Sequence, residues 1–150
     1  MPHSLINHNN IVLKFLALNA RKNKKNVLEL GDELVSLGAD KLPSGGFWIW
    51  DINNNIEFYS PKFRQSLGFG GETDFPSTPE SWKKQINEED LKVVFHNYEQ
   101  HLKTEGQHPY EQKVQYTKKD GSKIDVICSG TIIKNENKQP IILIGSHDII

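Results

Sequence analysis

Sulfur is scarce in this chain, which has one cysteine, Cys128, and one methionine. A lone cysteine forms no internal disulfide, so no covalent staple holds the fold, and a free thiol suits a reducing compartment, the cytoplasm. No stretch approaches the roughly 18 apolar residues of a membrane span. The N-terminal run "IVLKFLAL" is short, is broken by Lys14 and has no small-residue cleavage site behind it, so it does not read as a signal peptide. Charge of one sign is not in excess either. The formal net charge is -1, which provides no field to draw the chain to nucleic acid or to an acidic membrane. The short basic run "RKNKK" at 21–25 reads as a solvated linker. Neither a glycine-rich phosphate loop nor a nucleophile-elbow serine is present.

What remains is 150 residues, 36% hydrophobic and 25% charged, enough for one domain with a short extension and a real core. Apolar residues at 11, 12, 15, 16 and 18 predict a first helix. A second begins at "NVLELGDELVSLG", with Asn26 as N-cap, Glu29 completing a capping box and Gly38 as the stop. Its Val27, Leu30, Leu34 and Leu37 repeat at 3-4-3 spacing and form an apolar seam. A seam of that kind is covered by the domain's own sheet or by a second copy of the chain. Here it is read as a homodimer contact.

After the linker "ADKLPSGG" the pattern changes to strands. "GFWIWDI" and "IEFYS" flank the turn "NNN" and predict a hairpin. Two short helices follow, capped by Ser60 before Pro61 and by Thr78 before Pro79. The long helix opens at Asn87 with Glu88, Glu89 and Asp90 at its positive end. Leu91, Val94, Phe95, Tyr98 and Leu102 form its apolar face, with His96 outward and His101 at the edge. Three strands close the chain, the first two joined by Asp120-Gly121 and the last following the turn "NENK". Strands and helices do not alternate, so the expectation is an α+β domain, an antiparallel sheet with helices gathered mainly on one side. Such an arrangement encloses a pocket that aromatic residues can line. The candidates are Trp48, Trp50, Phe63, Trp82, Phe95, Tyr98, Tyr110, Tyr116 and Cys128, for a small-molecule ligand or as plain core.

Five stretches in order, "WIWDI" at 48–52, "FYSPKFRQSLGF" at 58–69, "SWKKQINEEDL" at 81–91, "KKDGSKIDV" at 118–126 and "IGSHDI" at 144–149, carry a family resemblance. From about Gly45 to Ile149 the chain resembles a PAS domain of the bacterial sensory-box type, a PAS fold-3-like variant. Asn87 and Glu88 stand where that family often has His-Pro, and "KIDV" lacks the tryptophan many members carry there. The resemblance implies a five-stranded antiparallel sheet in the order 2-1-5-4-3 with helices on one face. Residues 1–40 are then an N-terminal helical extension and candidate dimerisation element, and residues 41–150 a sensor domain. It further implies a signal-relay role without catalysis. The closing "SHDI" is similar to the family's exit motif, so the effector, a histidine kinase, a diguanylate cyclase or a chemoreceptor, is expected downstream of this chain.

Cofactor chemistry finds little support. The light-sensing relatives carry a reactive cysteine in an Asn-Cys-Arg-Phe-Leu run that is missing here, and Cys128 falls mid-strand, so flavin photochemistry is disfavoured. Haem is disfavoured because His96 points outward and His101 sits near the end of the helix. Histidines 3, 8, 108 and 147 make no metal-ligand spacing. The rival readings are a cone-shaped α+β enzyme, for which Asp125 is the nearest inward carboxylate, and a ligand-free dimerisation module.

Overall fold

A computed structural model describes residue 10, residues 12–18 and residues 26–150. The run at 21–25, Ile11, His3 and His8 lie outside the described residues. Residues 12–18 are helical (α1), followed by α2 (Val27–Ser36), a 3-10 turn (Ala39–Lys41), β1 (Phe47–Asp51) and β2 (Ile56–Tyr59). Then come α3 (Pro61–Ser66), α4 (Glu80–Lys83), α5 (Glu88–Lys103), β3 (Tyr110–Thr117), β4 (Lys123–Lys134) and β5 (Pro140–Ile149). The strands form one antiparallel sheet in the order β2-β1-β5-β4-β3.

Local signals explain most of the boundaries. The side chains of Asn26, Ser60 and Asn87 each accept a backbone N–H three residues on, satisfying an orphan donor at the start of α2, α3 and α5. The carboxylate of Asp51 caps the N–H groups of Asn53 and Asn54, and Asn55 turns the chain at φ 55°. Asp120 does the same for Ser122 in the β3–β4 hairpin. The expected cap at Thr78 is not formed. Pro79 holds the N-cap position of α4 without a side-chain bond. Thr78 works through its carbonyl oxygen instead, which accepts from the Tyr59 hydroxyl at 2.6 Å and from the Ser81 N–H.

Both faces of the sheet are covered. One face bears α3, α4 and α5. The other bears α1 and α2, whose Leu13, Ala17, Val27, Leu30 and Leu34 pack on Phe47, Ile49, Phe58, Ile133, Ile142 and Ile144. The seam of α2 is therefore corrected. Val27, Leu30 and Leu34 are buried against the protein's own sheet, and only Leu37, 59% exposed, lies outside it. The reason is close approach: a Cβ on Gly31 would lie in the Phe58 ring, so the missing side chain lets α2 settle directly on β2. At about 1.5–3 kcal/mol per buried Leu or Val, this contact is worth several kcal/mol to the fold. The stripe of α1 is also rotated from its expected position. Leu13 and Ala17 are buried while Phe15 and Leu18 are exposed, and Asn10 fixes that orientation through hydrogen bonds with Ser129 and Ser146.

Candidate functional site

The site grows from rows of residues that run across the inner face of the sheet. Trp48 pairs with Gly145, and Gly145 with Gly130, whose other partner is Tyr110. The two glycines give the Trp48 indole a flat bed, and the ring crosses them to meet Tyr110 edge-on at 6.0 Å. A side chain on Gly145 would collide with the Ser129 carbonyl oxygen and with Trp48. The next row holds Glu57, Trp50, Leu143 and Ile132. A third holds His147, Cys128 and Gln112.

Phe63 of α3, Trp82 and Lys83 of α4, and Val94, Phe95 and Tyr98 of α5 close over these rows. They enclose a mostly apolar cavity of about 30 Å³. That is room for about two water molecules before any wall moves. The cavity brings together all nine candidate aromatic and cysteine positions, including all three tryptophans of the chain. Two pairs of rings are among its lining residues, Trp50 with Tyr98 at 4.9 Å and Trp82 with Phe95 at 6.4 Å.

Phe95 needs correction as a core residue. It lines the cavity but is 37% exposed, so its ring is only partly covered. On α5 the fully buried positions are Val94 and His101. His101 is more than an edge residue. Its Nδ1 donates to the His108 carbonyl at 2.7 Å and its Nε2 accepts from the Ile132 N–H at 3.2 Å. Both ring nitrogens are engaged, so His101 has no lone pair to offer an iron. His96 is exposed, as its helical position requires.

Three polar residues of the cavity, Glu57, Lys83 and His147, were not among the candidates. Glu57 is 4% exposed and accepts the Trp82 indole N–H at 3.1 Å. Burial pushes its carboxyl up to about 8, against weaker opposing pulls from the Trp82 bond, Lys83 and Tyr59. His147 stacks on Phe63 at 4.5 Å, with its Nε2 3.5 Å from the Tyr116 hydroxyl. Burial lowers its pKa to about 3, so the ring is neutral at physiological pH. Burial also raises Tyr110, Tyr116 and Tyr98, and lifts the Cys128 thiol to about 12. Asp125, by contrast, lies outside the cavity and accepts from Gln115 across the β3–β4 pair. Among the described residues no group of three or more His, Cys, Asp or Glu could hold a metal, and no helix is long and apolar enough to cross a membrane.

The family model of the PAS fold matches residues 56–147, more than half of the chain. The chain belongs to the PAS fold family. Solved PAS structures share its architecture. A sensory box histidine kinase/response regulator from Burkholderia thailandensis E264 superposes with a TM-score of 0.59 at 19% identity, covering 78% of this chain and 84% of the other. The N-terminal domain of a diguanylate cyclase with PAS/PAC sensor from Marinobacter aquaeolei gives 0.56 at 15% identity, over 66% and 88% of the two chains. The PAS domain of the fruit-fly ELK potassium channel gives 0.60 at 17% identity, over 79% and 95%. At these identities the likeness speaks for the fold alone. No curated protein matches the chain in sequence.

Proposed function

We propose that this PAS domain is a sensory module in which occupancy of the aromatic cavity changes the packing of the sheet and is passed to an effector domain. The observation that carries this reading is the cavity itself, an apolar chamber with a few buried polar groups, enclosed by the sheet and by α3, α4 and α5. A route outward is built into β5. On one face this strand supplies Leu143 and His147 to the cavity wall. On the other its Ile142 and Ile144 pack under the α1–α2 layer. A ligand that shifts β5 is thus felt on the opposite face of the sheet and at the end of the last strand. The effector is of the kind coupled to PAS sensors in histidine kinases and diguanylate cyclases, and the module works in the cytoplasm.

The role is sensory and not catalytic. The nucleophiles that face the cavity are held in their least reactive forms, the Cys128 thiol and the tyrosine hydroxyls by burial. Fragment binding to the intact chain, followed by tryptophan fluorescence, finds occupants of the cavity, because every tryptophan lines it. Hydrogen exchange with a saturating fragment should then change protection in β5 and α2. A fragment that fills the cavity and leaves exchange in both elements unaltered refutes the relay.

A further inference from the structure

Three side chains fasten α5 to the sheet along its length. Asp90 in the first turn accepts the Gln115 N–H at 2.8 Å. Asn97 donates to the Glu111 carbonyl at 3.3 Å and to the Gln112 side chain at 3.0 Å. His101 in the last turn accepts the Ile132 N–H and donates to the His108 carbonyl. The first two hold the helix to β3, and the third holds it to β4. Imidazole is the side chain whose ordinary titration falls between pH 5 and 8, so the His101 fastening is the one that mild acid reaches.

That fastening admits a single protonation state. A carbonyl oxygen only accepts, so Nδ1 carries the hydrogen, and a backbone N–H only donates, so Nε2 carries none. A further proton goes to Nε2, where it faces the Ile132 N–H and leaves a buried donor without its acceptor. The residue is 3% exposed, which keeps water from taking over the contact. The surroundings give the cation little help. Lys14 of α1 and His108 of the loop after α5 act on the ring as positive charges, and the Tyr110 ring of β3 meets it edge-on at 6.4 Å. Lys134 of β4 and Glu105 are paired with each other at 3.7 Å. Burial above all, aided by Lys14 and His108, holds the His101 pKa below the usual imidazole range, against the opposing pull of the His108 carbonyl.

We propose that His101 is an acid-operated latch: one proton on Nε2 parts the last turn of α5 from β4, while Asp90 and Asn97 keep the rest of the helix on the sheet. Tyr98 of the cavity wall stands one turn before His101, so the parting reaches the cavity. The latch is fully closed above the ordinary imidazole value of about 6.5. Below it the opened form takes up a proton that the closed form refuses, and the balance moves towards opening by about tenfold per pH unit.

The intact chain, labelled with ¹⁵N, tests this in two measurements. Long-range ¹H–¹⁵N spectra of the imidazole at pH 7 should show the proton of His101 on Nδ1. Amide hydrogen exchange at pH 7 and pH 5, corrected for intrinsic rates, should show the protection of Ile132 falling at least about tenfold in acid, while that of Gln115, held by Asp90, changes much less. A proton on Nε2 at pH 7, an Ile132 protection indifferent to pH, or a parallel fall at Ile132 and Gln115 overturns the proposal. His101→Gln can accept the same N–H and has no proton to gain, so its Ile132 protection relative to Gln115 should be alike at both pH values. An acid loss in that variant equal to the wild type's would assign the proton to another group and overturn the proposal too. The wild-type comparison of Ile132 with Gln115 stands even where the Gln variant does not fold.

Discussion

Replacing Glu57 by glutamine should make the stability of the domain less dependent on pH, in a direction and over a window set by burial. The carboxyl has an ordinary value of 4.5 and is raised to about 8 in the folded chain. Below pH 4.5 the group is neutral folded and unfolded, and it imposes no penalty. As pH rises above 4.5 the unfolded chain releases the proton while the folded chain keeps it, so folding loses about 1.4 kcal/mol per pH unit. The loss ends once pH passes about 8, where both states are ionised. Over the whole window it amounts to about 5 kcal/mol, and at pH 7 about 3 kcal/mol of it has been incurred. Glutamine fills the same space and still accepts the Trp82 N–H, but it has no proton to lose. Urea unfolding of the wild type and of Glu57→Gln, followed by tryptophan fluorescence at several values between about pH 4.5 and 9, gives the two curves. Groups common to both proteins cancel in the difference. The variant should gain on the wild type steadily up to about pH 8 and no further. Parallel curves would mean that Glu57 is not a buried acid.

Three further outcomes follow from packing. Leu34→Ala should cost about 2–5 kcal/mol in chemical denaturation and Leu37→Ala less than about 0.5, since one is buried on the sheet and the other is largely in water; equal costs would return the seam of α2 to a role outside this chain. Phe63→Ala should cost about 3–5 kcal/mol and Phe95→Ala about 1, in proportion to their burial, as read by the midpoint of urea unfolding. Gly145→Ala should destabilise by about 3 kcal/mol or more, because the added methyl group meets the Ser129 backbone as well as Trp48, and a thermal melt within a degree of wild type would refute the bed of glycines.

The architecture was legible wherever a local signal fixed the chain. Asn26, Ser60 and Asn87 announce helix starts through their own side-chain oxygens, and Asp120-Gly121 announces a hairpin, because both depend on residues a few positions apart. Glu57 and His147 were not legible by the same means. In a strand with one wet face, a carboxylate between Ile56 and Phe58 points to water, and "IEFY" was open to that reading. Here Ile56 and Phe58 pack under α2, so Glu57 and Tyr59 turn into the second layer. The signal was present one strand earlier. Phe47, Trp48, Ile49 and Trp50 are apolar at successive positions, the mark of a strand covered on both sides, and Glu57 pairs directly with Trp50. The same two-sided cover hid His147, whose strand is buried from Ile142 to Asp148. The face presented by α1 was missed for a different reason. Its orientation is set by Asn10 bonding to strands more than a hundred residues away, which no helical period encodes.

His101 also settles what happens at one border of the sheet. Strand β4 runs on past the end of β3, whose pairing stops at Tyr110 with Gly130, so residues 131–134 have a neighbouring strand on only one side. A bare stretch of this kind invites a strand from another molecule to add itself. The imidazole of a helix residue occupies that position, taking the Ile132 N–H that an incoming carbonyl would otherwise claim. The last turn of α5 thereby acts as a bung on the sheet, and growth of the sheet into a polymer is blocked there by a single side chain.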